Sequence, residues 1–296
     1  MSKKIISYSL WSDIPMYNVG AIRNAEQVST FYPDWIARFY IGSDVPEETV
    51  NKISQQKNTE VVMMDKDNDW QGSLWRFYAV DTNEDVDVVI FRDTDSRLSH
   101  REYEAVREWY QSDRCLHIMR DHPYHSETIM AGMWGCRVKP LLNIINENVY
   151  DKFGLESVSN LQTVIDDWLK NEHKRTQNKE PNCLKPEHFV TKGIDQRFLR
   201  DFLYKMMGKN KILNDDAWIQ DSYPMYNCYS GRFDVQRFPG IKELSTGFPT
   251  ILNEDWNGFI GQVFDENDKP NEDYARLIRE RDECIYQDWK KKEDWH

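Results

Sequence analysis

The stretch VDVVIFRDTDSR, Val86 to Arg97, decides how the rest of this 296-residue chain is read. Its first half is an apolar run of the kind that forms a strand buried on both faces of a parallel sheet. It stops at two aspartates, Asp93 and Asp95, set one residue apart. In open α/β sheets ligands gather beyond the carboxyl ends of the strands, so these carboxylates are expected at a ligand-binding rim. Alternate residues of an extended segment project the same way, which lets the pair converge on one ion. Carboxylate oxygens suit a hard cation such as Mg²⁺ or Mn²⁺ and leave coordination positions for phosphate oxygens. In a chain with 50 acidic residues a D-x-D spacing also arises by chance, as the opening of a loop before a helix. Its place at the end of VDVVIF is what sets this one apart.

Upstream, KIISYSL (Lys4 to Leu10), ARFYI (Ala37 to Ile41) and EVVMM (Glu60 to Met64) predict further strands. Downstream, CLHIM (Cys115 to Met119) predicts another, ending in the charged cluster Arg120-Asp121-His122-Pro123-Tyr124-His125. Helices are expected over Gly20 to Phe31, Pro46 to Ser54 and Gly72 to Asp81. Ser99 to Glu102 spells an S-x-x-E capping box, opening a helix with Tyr103, Val106 and Tyr110 on one face. Strands alternating with helices at this spacing define the α/β class with a mostly parallel, Rossmann-type sheet. From Arg137 onward the pattern turns helical and irregular. Helices are expected over Leu161 to Leu169, Ile194 to Met207 and Tyr274 to Trp289, with an exposed loop from Asn171 to His188. The length fits one domain, residues 1–136 forming a ligand-binding half and 137–296 a second half with the closing helix.

A formal charge of −12 argues against a broad nucleic-acid footprint or a generic anionic-membrane surface, while allowing a local basic pocket for phosphate. The five cysteines are odd in number, scattered and without a C-x-x-C pair, which fits a reducing cytoplasm better than a disulfide framework. No apolar run approaches the ~20 residues of a membrane span, and the start is too short in apolar residues for a signal peptide. The 11 Trp, 15 Tyr and 13 Phe are plentiful for so polar a chain. Flat aromatic faces serve sugar and base sites, although most must simply pack the core.

Taken together, F-R-D-x-D-S-R (Phe91 to Arg97), R-D-H-P (Arg120 to Pro123), G-M-W-G (Gly132 to Gly135), Asp195-Gln196 and F-I-G-Q-V-F-D-E (Phe259 to Glu266) carry a resemblance. The chain resembles nucleotide-sugar glycosyltransferases of the GT-A type, and more narrowly uncharacterised glycosyltransferase-like proteins of bacteria and large viruses. The resemblance implies a nucleotide-sugar donor, a UDP-sugar by preference, lying across the ends of the first strands. Its diphosphate would be bridged to Asp93 and Asp95 by Mn²⁺ or Mg²⁺, and the acceptor would be a hydroxyl of a glycan or another molecule. Carried over by position, Tyr8, Ser9 and Leu10 would touch base and ribose, and Arg76 a phosphate, with Thr94 and Gln196 also on the donor side. Tyr8 facing the core, and Arg76 paired with acidic neighbours, are the alternatives. Arg92, Arg97 and Arg120 could assist the phosphates or pair with Asp121 and Glu102. Gly132 and Trp134 would approach the donor sugar, or form a plain turn with a buried Trp.

Asp195 and Asp121 are the candidates for a general base towards the acceptor; Asp195 could instead cap a helix. Where relatives supply a late histidine as third metal ligand, this chain has Ile219-Gln220-Asp221-Ser222-Tyr223, so Asp221 could substitute, as could His122 or His125. Two other functions fit the same residues. One is a sugar- or nucleotide-binding module that has lost catalysis. The other is a sugar-phosphate nucleotidyltransferase, against which the lack of an early Gly-rich basic loop speaks.

Overall fold

The computed structural model describes residues 2–65, 70–120, 125, 127–153, 157–207, 211–216, 235–237 and 260–270. The expected helix Tyr274 to Trp289 lies outside them. The elements run β1 (Lys3–Leu10), α1 (Pro15–Phe31), β2 (Ile36–Gly42), α2 (Glu47–Ser54), β3 (Thr59–Met64), a run of 3₁₀ turns (Trp70–Ala79) and β4 (Val86–Arg92). They continue with α3 (His100–Gln111), β5 (Leu116–Arg120), β6 (Met133–Arg137), α4 (Val138–Phe153), α5 (Leu161–Gln177), a helical run at 194–206, β7 (Ile212–Asp216) and β8 (Val235–Arg237). Among the described residues one sheet of eight strands has the order β3-β2-β1-β4-β6-β5-β7-β8. Every neighbouring pair is parallel except those of β6, which runs against both β4 and β5. The α/β class with a mostly parallel sheet is therefore as expected.

Four departures follow from tertiary context. Met133–Arg137 forms β6, so Gly132 closes a turn that leads straight into a strand, and Met133 to Gly135 are strand residues. Helix α4, within the region expected to turn helical from Arg137 but given no bounds there, begins at Val138 and tolerates Pro140 because the first helical turn has no N–H ladder bonds to lose. Helix α5 runs on to Gln177, into the first part of the expected loop, seating Glu172 against Arg175 and the Leu184 N–H. The segment Trp70–Ala79 winds as 3₁₀ turns, and β1 explains part of that. Ser9 Oγ accepts the Arg76 N–H at 2.9 Å, and Ser7 Oγ donates to the Arg76 carbonyl at 2.6 Å, drawing both groups to the sheet.

Strict alternation divides the core in two. From β1, Ile6, Tyr8 and Leu10 face the layer of α1, α2 and α3, whereas Ser7 and Ser9 face the 3₁₀ segment. From β4, Val88 and Ile90 share the first side; Val89 and Phe91 face the other, where Trp134 of β6 stacks on Phe91 at 4.2 Å. Continuing the alternation, Arg92 turns into the α1–α3 side and Asp93 emerges on the 3₁₀ side. Arg92 is 2 % exposed and donates to Glu102 at 2.7 Å, with its Nη1 also bonding the carbonyls of Phe91 and Trp134. Glu102 also accepts from the Tyr32 hydroxyl at 3.0 Å.

Ser99 caps α3 by accepting the Glu102 N–H, but the Glu102 carboxylate of the anticipated capping box goes to Arg92 and Tyr32. A buried guanidinium draws a carboxylate more strongly than an exposed backbone N–H does. Breaking such a pair from one side leaves an uncompensated buried charge. Glu102→Ala is expected to lower unfolding free energy by about 3–5 kcal/mol, and Tyr32→Phe by only about 1.5 kcal/mol. Urea titrations followed by tryptophan fluorescence check this; equal losses in the two variants would contradict it.

Candidate functional site

Two elements hold the loop after β4 in place. Helix α1 crosses it closely: a Cβ at Gly20 would lie 2.0 Å from the Thr94 carbonyl oxygen, so only glycine permits this approach. One turn further, Asn24 Nδ2 donates to the carbonyls of Thr94 (3.2 Å) and Ser96 (2.9 Å). From far along the chain, the turn at 260–270 docks on the same loop. Phe264 N–H donates to the Asp95 carbonyl at 2.9 Å, and Asp268 takes Arg97 at 2.8 Å and Arg23 at 2.5 Å. The Arg97 guanidinium also lies over the Phe264 ring, 5.1 Å from its centre.

Asp93 stands half exposed at the rim, with Asp95 partly buried beside it. Gly132 meets Asp93 from the β6 side, where a Cβ would overlap the carboxylate at 2.0 Å from Oδ2. Arg76 bridges two acids across the site. Its Nη1 donates to Asp93 Oδ1 and to the Arg92 carbonyl, and its Nη2 donates to Asp195 Oδ2 at 2.6 Å. Asp195 Oδ1 accepts the Gln196 N–H at 2.8 Å, so both oxygens of this buried carboxylate are engaged. With its amide oriented to suit its neighbours, Gln196 donates to the Ile129 carbonyl (2.6 Å) and accepts the Ala131 N–H (3.0 Å), fixing the turn that delivers Gly132.

Burial and the adjacent Asp93 charge push the Asp95 carboxyl up to about 7, against the partial relief of Lys192 and Arg76. Two carboxylates that resist sharing negative charge form a site that a dication would relieve, and the oxygen donors suit a hard one. Asp93 and Asp95 would hold it. Among the described residues no third His, Cys, Asp or Glu completes a cluster with them. His125 lies near enough to feel the Asp93 charge, and burial lowers its imidazole to about 4, which keeps it neutral at pH 7. Asp121, His122, Gln220 and Asp221 lie outside the described residues.

Several expected donor contacts are corrected by burial. Tyr8 is fully buried and stacked on Phe39 at 4.7 Å, and Leu10 is core, because both occupy the helix-facing side of β1. Arg92 is locked to Glu102 on that same side and cannot serve a phosphate at the rim. Trp134 is fully buried between Phe91 and Phe77 and offers no wall to a sugar. Thr94 is buried, its carbonyl engaged by Asn24. Ser9 secures the Arg76 backbone, and Asp195 sits in the first turn after Gly193 without capping it. Arg120 is buried, donating to the Thr128 carbonyl. Lys192, which no sequence motif marked, is exposed, and its charge is felt at Asp95.

Fold and site together define an α/β protein with an arginine-bridged carboxylate pair at the rim of its sheet. No family model and no curated protein matches the chain. Among solved structures it is similar to glucosyl-3-phosphoglycerate synthase from Mycobacterium tuberculosis, in complex with Mn²⁺, uridine diphosphate and phosphoglyceric acid. That match has 11 % identity and a TM-score of 0.35, covering 53 % of this chain and 66 % of that one. It is also similar to mannosyl-3-phosphoglycerate synthase from Rubrobacter xylanophilus (12 % identity, TM-score 0.36, 64 % and 78 % covered). A third is 4-diphosphocytidyl-2C-methyl-D-erythritolsynthase from Anaerococcus prevotii (14 %, 0.36, 56 % and 82 %). The chain thus spans a little under two thirds of the mycobacterial synthase. Among the described residues no helix is long and apolar enough to cross a membrane.

The raised Asp95 carboxyl sets a pH dependence with a definite sign. A folded-state value above the unfolded one stabilises the metal-free protein fully below the unfolded value, and that stabilisation is lost as pH rises through about 7. Melting curves in chelator should therefore give a transition temperature that falls between pH 5 and 8, with a shallower fall in Asp95→Asn. An unchanged slope in the variant would show that Asp95 titrates normally.

Proposed function

We propose that the chain is a metal-dependent glycosyltransferase, moving a sugar from a nucleoside-diphosphate donor, a UDP-sugar by preference, to a hydroxyl acceptor. One observation carries this reading: two mutually repelling carboxylates end a central strand at the ligand-binding rim of the sheet. In the transfer, the bond between the anomeric carbon and the phosphate oxygen breaks and its electron pair stays on the diphosphate. The acceptor oxygen bonds the carbon as its proton passes to a carboxylate. A divalent cation, when bound, offsets the charge that develops on the diphosphate.

Asp93 and Asp95 are assigned as its ligands, with Asp221 as the candidate third. Arg76 orients Asp93 from the side, and Asp195 with Ser9 anchors Arg76. This engagement of both Asp195 oxygens favours Asp121 over Asp195 as the proton acceptor. Gly132 leaves room for the Asp93 carboxylate, and Gln196 holds the turn before it.

Donor hydrolysis or transfer should require Mn²⁺ or Mg²⁺. Since loss of even an outer partner of a metal ligand costs about 10–100-fold, Asp95→Ala is expected to lose more than about 100-fold in turnover. Full turnover in chelator, or in Asp95→Ala, would refute the assignment. The non-catalytic module remains as the second reading, supported by the hold of Arg76 on both Asp93 and Asp195. Metal-dependent binding of nucleoside diphosphates without hydrolysis or transfer of any nucleotide-sugar selects it.

A further inference from the structure

The cations that the sequence offers for a diphosphate are spent elsewhere in the structure. Arg76 is held by Asp93 and Asp195, Arg92 by Glu102 and Arg97 by Asp268, while Arg120 is buried against the Thr128 carbonyl. A diphosphate brings more negative charge than a single dication cancels, so a site for one needs a further positive group at its open side.

Lys192 is so placed. It lies three residues before Asp195, which Arg76 ties to Asp93, so the chain leading on from Lys192 is anchored to the segment that ends at the rim. Its Nζ stands 5.8 Å from the centre of the Trp70 ring, at the start of the segment that carries Arg76. The side chain is exposed, and among the described residues it enters no ion pair. Its charge nevertheless reaches Asp95, where it counters the repulsion from Asp93.

We propose that Lys192 is the diphosphate-binding cation of this site: its ammonium contacts the phosphate oxygens on the side away from Asp93 and Asp95, and stabilises them as the leaving group departs. The alternative is a solvent-facing lysine resting on Trp70, a contact of ordinary surface character. Lysine suits the first role, as a compact charge on a flexible stem that can follow phosphate oxygens as they move. The inference rests on the reading of the site as one for nucleoside diphosphates.

Calorimetric titration of UDP, GDP and inorganic pyrophosphate, each with Mn²⁺, into wild type, Lys192→Met and Lys192→Arg tests it. A charge-assisted contact of this kind is expected to make Lys192→Met bind about tenfold or more weakly. Lys192→Arg should recover most of the loss, raised salt should shrink it, and the melting temperature of the metal-free variants should match wild type. Wild-type binding that Lys192→Met leaves unchanged would overturn the role of Lys192 alone. A loss accompanied by a lowered melting temperature and not restored by arginine would also overturn it, in favour of packing on Trp70. Failure of the wild type to bind any of the three probes would overturn the reading of the site as well.

Discussion

The guanidinium of Arg76 is the constraint on which the site depends. It is almost wholly buried and answers to carboxylates on two separate parts of the chain, Asp93 after β4 and Asp195 in the helical run at 194–206. Desolvating a guanidinium is costly, and two anionic partners are what offset it. The serines of β1 fix the other end by binding the Arg76 backbone. Strand, 3₁₀ segment and later helix are therefore tied at one point, and the position of Asp93 follows from all of them. The rim acid is half committed to arginine and half open to solvent, an arrangement suited to a ligand that arrives with its own positive charge.

The neighbouring pair, Arg92 with Glu102, has the opposite character. It lies wholly within the protein, one residue away along the chain, and its hydrogen bonds to the Phe91 and Trp134 carbonyls clasp β4 to β6. Two adjacent arginine–carboxylate pairs thus divide the work. One holds the reversed strand in the sheet, and the other aims a carboxylate at the rim. A period of two along β4 is sufficient to separate them.

Much of this was legible before any coordinates. The run VDVVIF with its aspartates marked both the central strand and the rim, and the alternation of β and α segments gave the sheet. The same alternation also carries the side on which each strand residue lies. In KIISYSL, Tyr8 and Leu10 share a side with Ile6, so a core-facing Tyr8 was the consistent reading, and Ser7 with Ser9 marked the side that meets Arg76. Arg92 and Asp93, being adjacent, had to point apart. What could not be read was β6. Met133–Arg137, directly after Gly132 and interrupted by Gly135, lacks the continuous apolar run that announces a buried strand, and it becomes one because β4 and β5 each leave an edge for it. Lys192 was equally silent, since a lysine in a polar loop acquires meaning only from what the fold sets beside it.

The docking of the 260–270 turn on the acidic loop has a consequence for how the molecule comes together. The pairing of Arg97 with Asp268 spans 171 positions of sequence, whereas the strands beneath the loop find their partners from much nearer by. Contacts of such separation demand the largest loss of chain freedom and form late. As the polypeptide leaves the ribosome, the first strands can therefore settle while their acidic ends still lack the fastening that steadies them. The pairing of β1 to β4 is favoured early, and the acidic loop gains its last fastening only once the distant turn has been made.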